Sequence, residues 1–194
     1  MYERNNVIRQ FESTIAEYCG AKYGIAVESC SAALFLCCVY LKVKDVIIPK
    51  KTYFSVPAGI KHAGGRVIFE DKEWIGAYRL LPYKIIDSAM RLKEGMYIKG
   101  FFHCLSFHYA KHIPIGRGGM ILTDNKKAAE WFRLARNDGR REIPKEKDKV
   151  KFSGWNAYMT ADQAARGLEL FYWRIKGRTQ FDLPMTHGDI SYVQ

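Results

Sequence analysis

The chain has 194 residues, of which 48% are apolar, and it carries a formal net charge of +11 at pH 7. This length suits one domain with at most a small appendage, and the apolar fraction excludes a disordered chain. No apolar run is long enough to cross a bilayer, and no apolar stretch follows the N-terminal residues. The five cysteines lack the spacing of a disulfide framework, so we expect a cytoplasmic protein without a membrane partner.

The periodicity of apolar residues predicts alternating strands and helices. Helices are predicted over residues 6–18, 32–41, 54–63, 126–137 and 160–175, and strands over 23–27, 46–48, 67–69 and 84–87, with two more strands on either side of Lys111. Residues 139–151 are predicted to be a charged loop. This alternation predicts an α/β fold with a mostly parallel central sheet flanked by helices. We divide the chain into an α/β domain, residues 1–175, and a C-terminal tail, residues 176–194, which shows no periodicity.

The positive charge favours anionic partners. Lysines and arginines are nevertheless dispersed along the chain, and the densest stretch, residues 136–151, alternates with acidic residues and accompanies no nucleic-acid-binding motif. The sequence therefore favours a small anionic ligand and predicts no nucleic-acid partner.

The junction between the first strand and the second helix has the sequence Ser29-Cys30-Ser31-Ala32. Hydroxyls and free backbone N–H groups at a helix N-terminus form a phosphate site, which would use Ser31 and Ala32. An ordinary serine N-cap is the commoner explanation when this pattern stands alone. Tyr53 follows the strand that ends at Pro49, and its ring would either stack on a planar ligand or belong to the core.

Two further candidates lie beside later strands. Asp87 ends an apolar strand, and a buried carboxylate there needs a cation or hydrogen bonds, supplied by a protonated pyridine nitrogen, an arginine or a helix N-terminus. Ser106 and Lys111 follow the next strand and precede a glycine-rich turn. A lysine beside a packed sheet loses hydration, so its pKa falls and its amine becomes a nucleophile, whereas the alternative is a surface lysine on a loop.

Taken in chain order, these features meet the requirements of pyridoxal 5'-phosphate: a helix N-terminus for the phosphate, an aromatic face for the ring, a carboxylate for the pyridinium and a lysine for the aldehyde. A metal site built from His103, Cys104, His108 and His112 is the competing interpretation. Side chains on a strand point alternately to both faces, so we expect no metal.

The sequence also resembles the DegT/DnrJ/StrS-type sugar aminotransferases, which are fold-type I pyridoxal phosphate enzymes of the aspartate aminotransferase superfamily. Motifs similar to those of the family occur, in the family's order, at residues 11–27, 29–34, 46–53, 86–89, 106–111, 118–124 and 154–165. The segment Gly154-Trp155-Asn156 resembles a late motif whose asparagine reaches the phosphate of the neighbouring subunit. By its position alone, Asn156 would be a cap or turn residue.

The resemblance implies an aminotransferase that moves an amino group, from an amino-acid donor such as glutamate, to a nucleotide-linked keto-sugar for polysaccharide biosynthesis. It also implies a homodimer with shared active sites. Lys111 and Asp87 would be the catalytic residues. The residues that bind the cofactor would be Ser31, Ala32, Tyr53, Asp87, Ser106, Lys111 and, from the second subunit, Asn156.

Several positions depart from the family pattern. Cys30 stands where glycine is usual, Met90 where a Gln or His often touches the ring hydroxyl of the cofactor, and Tyr158 where the late motif has arginine. The stretch between Asp71 and Lys84 is shorter than in family members, and the family's C-terminal small domain is expected to be absent. These departures leave a second hypothesis open: a non-enzymatic homologue that binds the cofactor, or pairs with a full-length partner, without turnover.

Overall fold

Five helices and seven strands make up the computed structural model, which describes residues 2–144 and 147–192. The helices are α1 (Tyr2–Cys19), α2 (Cys30–Tyr40), α3 (Ser55–His62), α4 (Lys126–Ala135) and α5 (Ala161–Arg174). The strands are β1 (Tyr23–Val27), β2 (Asp45–Pro49), β3 (Arg66–Glu70), β4 (Tyr78–Leu80), β5 (Ile85–Asp87), β6 (Phe102–Ser106) and β7 (Gly119–Thr123). Met1, residues 145–146 and residues 193–194, which belong to the predicted domain, charged loop and tail, lie outside the described residues.

The strands form a central five-stranded sheet in the order β1-β7-β6-β5-β4, beside a parallel pair, β2 and β3. An antiparallel bridge between Ile47 and Leu81 joins β2 to the end of β4. In the described chain, β1, β2, β3, β5 and β6 therefore run in one direction, and only β4 and β7 run in the other. The predicted α/β fold with a mostly parallel sheet is confirmed in strand direction. The reversal of β4 and β7 makes the ladders β1/β7, β6/β7 and β4/β5 antiparallel.

The predicted helices and strands all form, with ends that shift by a few residues. Local hydrogen bonds explain where the helices begin: the Ser29 side chain accepts from the N–H of Ala32 at α2, and the Asn125 side chain accepts from the N–H of Ala128 at α4. Strand β4 was not predicted, because its three residues are too few to show an alternating pattern.

The core lies on both faces of the sheet. Along β7, Ile121 contacts the cluster under α2, α3 and α4, whereas Met120 and Leu122 on either side of it contact the cluster under α1 and α5. Alternate side chains of a strand point to opposite faces, so the three central residues of this buried strand are all apolar. Helices on both faces leave the ends of the strands free for a site.

A buried ion-pair network ties α1, β1 and α4 together. Glu12, which is 2% exposed, accepts a hydrogen bond from the backbone N–H of Ala26 (2.9 Å) and pairs with Arg136, which is 1% exposed. Arg9 and Arg133 also pair with Glu12, at 2.9 Å and 3.6 Å. We name these groups the Glu12 cluster. Because it joins two helices and a strand through buried charges, we interpret it as a structural feature of the fold.

Residues 176–192 contain no helix or regular strand, but they fold back onto the domain. The N–H of Leu183 donates to the carbonyl of Met90 (2.9 Å), and the N–H of Ile190 donates to the carbonyl of Lys50 (3.0 Å). This return path places the tail across the edge of the sheet where most strands have their carboxyl ends. None of the helices in the described ranges combines the length and the apolar character needed to span a bilayer.

Candidate active site

A cavity of about 490 Å³ opens at the carboxyl ends of β1, β2, β5 and β6. It brings together five of the residues predicted to bind the cofactor: Ser31, Tyr53, Asp87, Ser106 and Lys111. The arrangement follows from the strand directions, because strands that run the same way end at the same edge of the sheet.

Two predicted residues do not line this cavity. The N–H of Ala32 is used by the N-cap, since it donates to the Ser29 side chain (3.1 Å). Asn156 is exposed and forms an isolated bridge with Asn137 outside the cavity. Within one chain, Asn156 is therefore not part of the site.

Lys111 lies on the turn after β6, where its N–H donates to the carbonyl of His108 (2.9 Å). Its Nζ lies 2.8 Å from the Sδ of Met90, one of the residues that depart from the family pattern. Burial lowers the pKa of the Lys111 amine, and this effect outweighs the opposing influence of Cys30 and Asp87. An amine with a lowered pKa is more often unprotonated and able to attack an aldehyde.

Asp87 is the last residue of β5 and is 5% exposed. Its Oδ1 accepts a hydrogen bond from the N–H of Ala89 (3.0 Å), and the thiol of Cys30 lies 3.9 Å away. Burial raises the pKa of the Asp87 carboxyl, although the Ala89 N–H, the Tyr78 hydroxyl and Lys111 act in the other direction. Among the described residues Asp87 has no salt bridge. A buried carboxylate that lines a cavity and has no salt bridge within the described residues fits a protonated pyridine nitrogen.

Tyr78, on the unpredicted strand β4, faces Asp87 directly across the ladder to β5. Its hydroxyl lies 2.5 Å from the Oγ1 of Thr52, which also lines the cavity. Tyr78 also acts directly on the site, since its hydroxyl lowers the pKa of the Asp87 carboxyl. Sequence analysis missed both Tyr78 and Thr52, and the one available signal for Thr52 was its position directly before Tyr53.

Hydroxyl groups gather at the N-terminus of α2. Ser31 Oγ lies 2.6 Å from the Oγ of Ser55, the first residue of α3, and Ser106 faces the same cavity. Gly119 lets β7 approach this turn, since a Cβ at that position would lie 2.3 Å from the carbonyl carbon of Ser29. Backbone N–H groups, hydroxyls and a close-packed turn form a cradle suited to a phosphate. Ser55 was also missed, because nothing in its local sequence distinguishes it from a helix-start residue.

Tyr53 is 45% exposed, and its ring borders the cavity. The ring centroid lies 4.3 Å from that of Phe54 and 5.5 Å from that of His187, which belongs to the tail. Tyr53 is therefore not a core residue, and a ring face is available to a planar ligand.

The histidine and cysteine side chains of β6 serve the fold. His103 is buried; its Nδ1 lies 3.2 Å from Ser88 Oγ and its Nε2 accepts from the N–H of Ile98 (3.2 Å). Burial lowers the pKa of His103 to about 4. In the described ranges no three His, Cys, Asp or Glu side chains are placed to hold a metal ion.

Comparison with known proteins identifies the family. The model of the DegT/DnrJ/EryC1/StrS aminotransferase family matches residues 2–75 and 98–173. The spore coat polysaccharide biosynthesis protein SpsC of Bacillus subtilis is 24% identical over 78% of this chain and 48% of its own length. GDP-perosamine synthase of Caulobacter vibrioides is 26% identical over 83% of this chain and 55% of its own length.

The fold is also found in solved structures. Spr1654 of Streptococcus pneumoniae in its PLP form superposes with a TM-score of 0.71 at 16% identity, covering 87% of this chain and 59% of that chain. The chain spans about half the length of the curated relatives it matches. Asp87 falls in residues 76–97, which the family model leaves unmatched, so its assignment depends on the geometry described above. Because the model matches well over half of the sequence, the chain belongs to the DegT/DnrJ/EryC1/StrS aminotransferase family.

Proposed function

We propose that the protein binds pyridoxal 5'-phosphate and transfers an amino group, from glutamate, to a nucleotide-linked keto-sugar. The observation that carries this proposal is the placement of Lys111 and Asp87 in one cavity, with the pKa of each shifted by burial. Neither residue has a salt bridge within the described ranges. Perturbed groups of opposite charge that converge on a cavity are typical of a catalytic site.

Each residue that lines the cavity would have a separate role in binding the cofactor or in catalysis. Ser31, Ser106 and the N-terminus of α2 would hold the phosphate, and Tyr53 would cover one face of the ring. Asp87 would hold a proton on the pyridine nitrogen, and Lys111 would bind the cofactor and move the proton during transfer. The cofactor, when bound, supplies an electron sink.

The substrate class is supported by the relatives and by charge. One relative is named GDP-perosamine synthase and another is named for spore coat polysaccharide biosynthesis. A net charge of +11 attracts a substrate that carries a diphosphate. The described cysteines are all free, which agrees with the reducing cytoplasm.

The alternative function is cofactor binding without turnover, alone or paired with a full-length partner. Its support is the departures from the family pattern at Cys30, Met90 and Tyr158, of which Met90 contacts Lys111 Nζ at 2.8 Å. Glutamate deamination by the purified protein, tested with and without such a partner, separates the two functions.

The first test of the proposed function is spectroscopic. The purified protein with added pyridoxal phosphate should absorb visible light, and borohydride should fix the cofactor covalently to Lys111. Lys111→Ala should abolish the fixed adduct, whereas Lys127→Ala, which removes an exposed lysine of α4, should retain it. Peptide mapping that locates the adduct on another lysine would sink the assignment.

We further propose a homodimer in which Asn156 completes the site of the partner. Asn156 is exposed and outside its own cavity, and large apolar side chains nearby in sequence are exposed as well: Tyr158 at 45%, Tyr172 at 52% and Trp173 at 72%. Sedimentation should show a dimer. Mixing Lys111→Ala with Asn156→Ala chains should restore one intact site per mixed dimer, and a monomer with full cofactor affinity would refute the proposal.

A further inference from the structure

Two segments that the family model does not match meet each other at the mouth of the cavity. They are residues 76–97 and the stretch after residue 173, which includes the tail. The carboxylate of Asp182 accepts hydrogen bonds from Arg91 Nε (2.9 Å) and Nη2 (2.7 Å), and it pairs with Lys93 Nζ (3.0 Å). Hydrogen bonds from Arg91, followed by Lys93, lower the pKa of Asp182 to about 2, so the carboxylate is charged at neutral pH.

The contact of Asp182 with Arg91 and Lys93 also requires a glycine at position 76. A Cβ at Gly76 would lie 2.4 Å from the carboxylate carbon of Asp182, and the φ of Gly76 is +72°. Any side chain here would both strain the turn and displace the carboxylate. The position of Asp182 therefore depends on a glycine more than a hundred residues earlier in the chain.

The segment is docked at its other end as well. The N–H of Ile190 donates to the carbonyl of Lys50 (3.0 Å), and Asp189 forms a bridge with Lys51. Residues 181–190 thus run from one side of the cavity to the other, and we name them the wall. Between the docking points the wall contributes Leu183, Pro184, Thr186 and His187 to the cavity lining.

His187 is the wall residue with an imidazole to offer to a ligand. It is half-buried, and its ring nitrogens have no hydrogen-bond partner within residues 2–144 and 147–192. Burial, and then the charge of Lys111, lower the pKa of His187, so its ring is neutral at neutral pH. A neutral imidazole has one donor and one acceptor, which matches a hydroxyl group better than a carboxylate or a phosphate.

We propose that the wall is the part of the site that selects the sugar, with His187 binding a hydroxyl of the sugar portion of a nucleotide-linked substrate and Asp182 as the positioning residue that docks the wall. This inference rests on the proposed function, because it names the residues of the same site that read the substrate. In this proposal, His187 contacts the sugar and not the nucleoside diphosphate.

The test measures dissociation constants by calorimetry on the cofactor-loaded protein. The probes are dTDP-glucose, GDP-mannose and UDP-N-acetylglucosamine, each paired with its free nucleoside diphosphate. For the nucleotide sugar that binds the parent most tightly, His187→Ala should weaken binding by about 3- to 10-fold, as expected for one hydrogen bond, and leave the diphosphate unchanged. His62→Ala, an exposed histidine on α3 outside the cavity, is the matched control.

Docking is tested separately. Asp182→Asn removes the charge that Arg91 and Lys93 bind, and Gly76→Ala displaces the same carboxylate sterically. Both variants should speed amide hydrogen exchange in residues 181–190 and weaken the nucleotide sugar, while the visible spectrum of the cofactor is kept. Asp162→Asn, which alters an exposed carboxylate of α5, should match the parent in all three measurements.

Each of the following results would contradict one part of the proposal. Equal weakening of nucleotide sugar and diphosphate by His187→Ala, or no weakening of either, overturns the assignment of His187. A parent that binds the cofactor but none of the nucleotide sugars overturns the substrate-reading role and leaves the cofactor site intact. A parent that does not bind the cofactor defeats the proposed function itself, and the present inference with it.

Discussion

Glu12 and Asp87 are both almost inaccessible to solvent, at 2% and 5% exposure, yet their surroundings differ in kind. The Glu12 carboxylate lies among the guanidinium groups of Arg9, Arg133 and Arg136 and accepts a backbone hydrogen bond. The Asp87 carboxylate is surrounded by a backbone N–H, a thiol and a phenol, and Lys111 is the cation that influences it.

The difference separates a buried charge with salt-bridge partners from a buried charge that has none within the described residues. A buried charge is tolerated when partners satisfy it, as they do in the Glu12 cluster. The ionised form of Asp87 destabilises the folded state, because burial raises its pKa and it has no guanidinium partner. Under the proposed function, the pyridinium of the cofactor would supply a positive charge to Asp87 in addition to that of Lys111.

The largest expected effect on stability comes from removing the carboxylate of Glu12 from its ion-pair network. Glu12→Gln removes the buried carboxylate that Arg136 shares with Arg9 and Arg133 and leaves Glu142, 2.7 Å from Arg136 Nη2, as the remaining acidic partner of Arg136. The free energy of unfolding should therefore fall by about 3 kcal/mol. Urea denaturation measures this loss. Glu169→Gln, an exposed carboxylate on α5, should change the stability by less than about 0.5 kcal/mol. A loss below about 1 kcal/mol for Glu12→Gln would show that the cluster does not hold the fold together.

The unpaired charge should give the opposite pattern. Asp87→Asn keeps the shape of the side chain and should alter the free energy of unfolding by no more than about 1 kcal/mol, because no salt bridge is lost. Loss of a preorganised charge at the reacting centre should slow the formation of 2-oxoglutarate from glutamate by about 10²- to 10³-fold. A single-turnover assay on the loaded protein measures this rate. An Asp87→Asn protein that reacts as fast as the parent would contradict the role of Asp87.

The last prediction concerns how the free energy of unfolding depends on pH. His103 has an ordinary pKa of 6.5 but a folded-state pKa of about 4, so the unfolded chain takes up its proton first as the pH falls. Stability should therefore be fully present above pH 6.5 and decrease between about 6.5 and 4, by at most about 3 kcal/mol.

Asp87 acts with the opposite sign in the acid range. Its raised pKa means that protonation favours the folded state, so its cost appears as the pH rises above 3.8. Urea denaturation at a series of pH values should show a shallower slope for His103→Gln than for the parent. It should show a steeper slope for Asp87→Asn. A parent and a His103→Gln protein with the same slope would contradict this assignment.

The sequence was sufficient to predict which candidate residues lie close together in the fold. Ser31, Tyr53, Asp87, Ser106 and Lys111 each follow or end a strand whose apolar run is visible locally, and the directions of those strands bring the residues together. Their gathering is thus a consequence of topology that periodicity can predict.

The mouth of the site could not be found in this way. Tyr78 lies on a three-residue strand, which is too short for a pattern, and His187 lies in a tail without periodicity. The contact between Arg91 and Asp182 joins residues 91 positions apart, and its strength depends on geometry that neither neighbourhood encodes. Asn156 remains a prediction, because its expected role requires a second copy of the chain.

The contact between the two unmatched segments also determines how this protein can be recombined. Moving residues 181–190 into a relative would deliver the carboxylate of Asp182 without the glycine that makes room for it and without the two cations that neutralise it. Gly76, Arg91, Lys93 and the wall therefore constitute one exchangeable unit. A chimera that carries all of these positions should transplant the cavity mouth, whereas one that carries either segment alone would introduce an uncompensated charge at the entrance to the site.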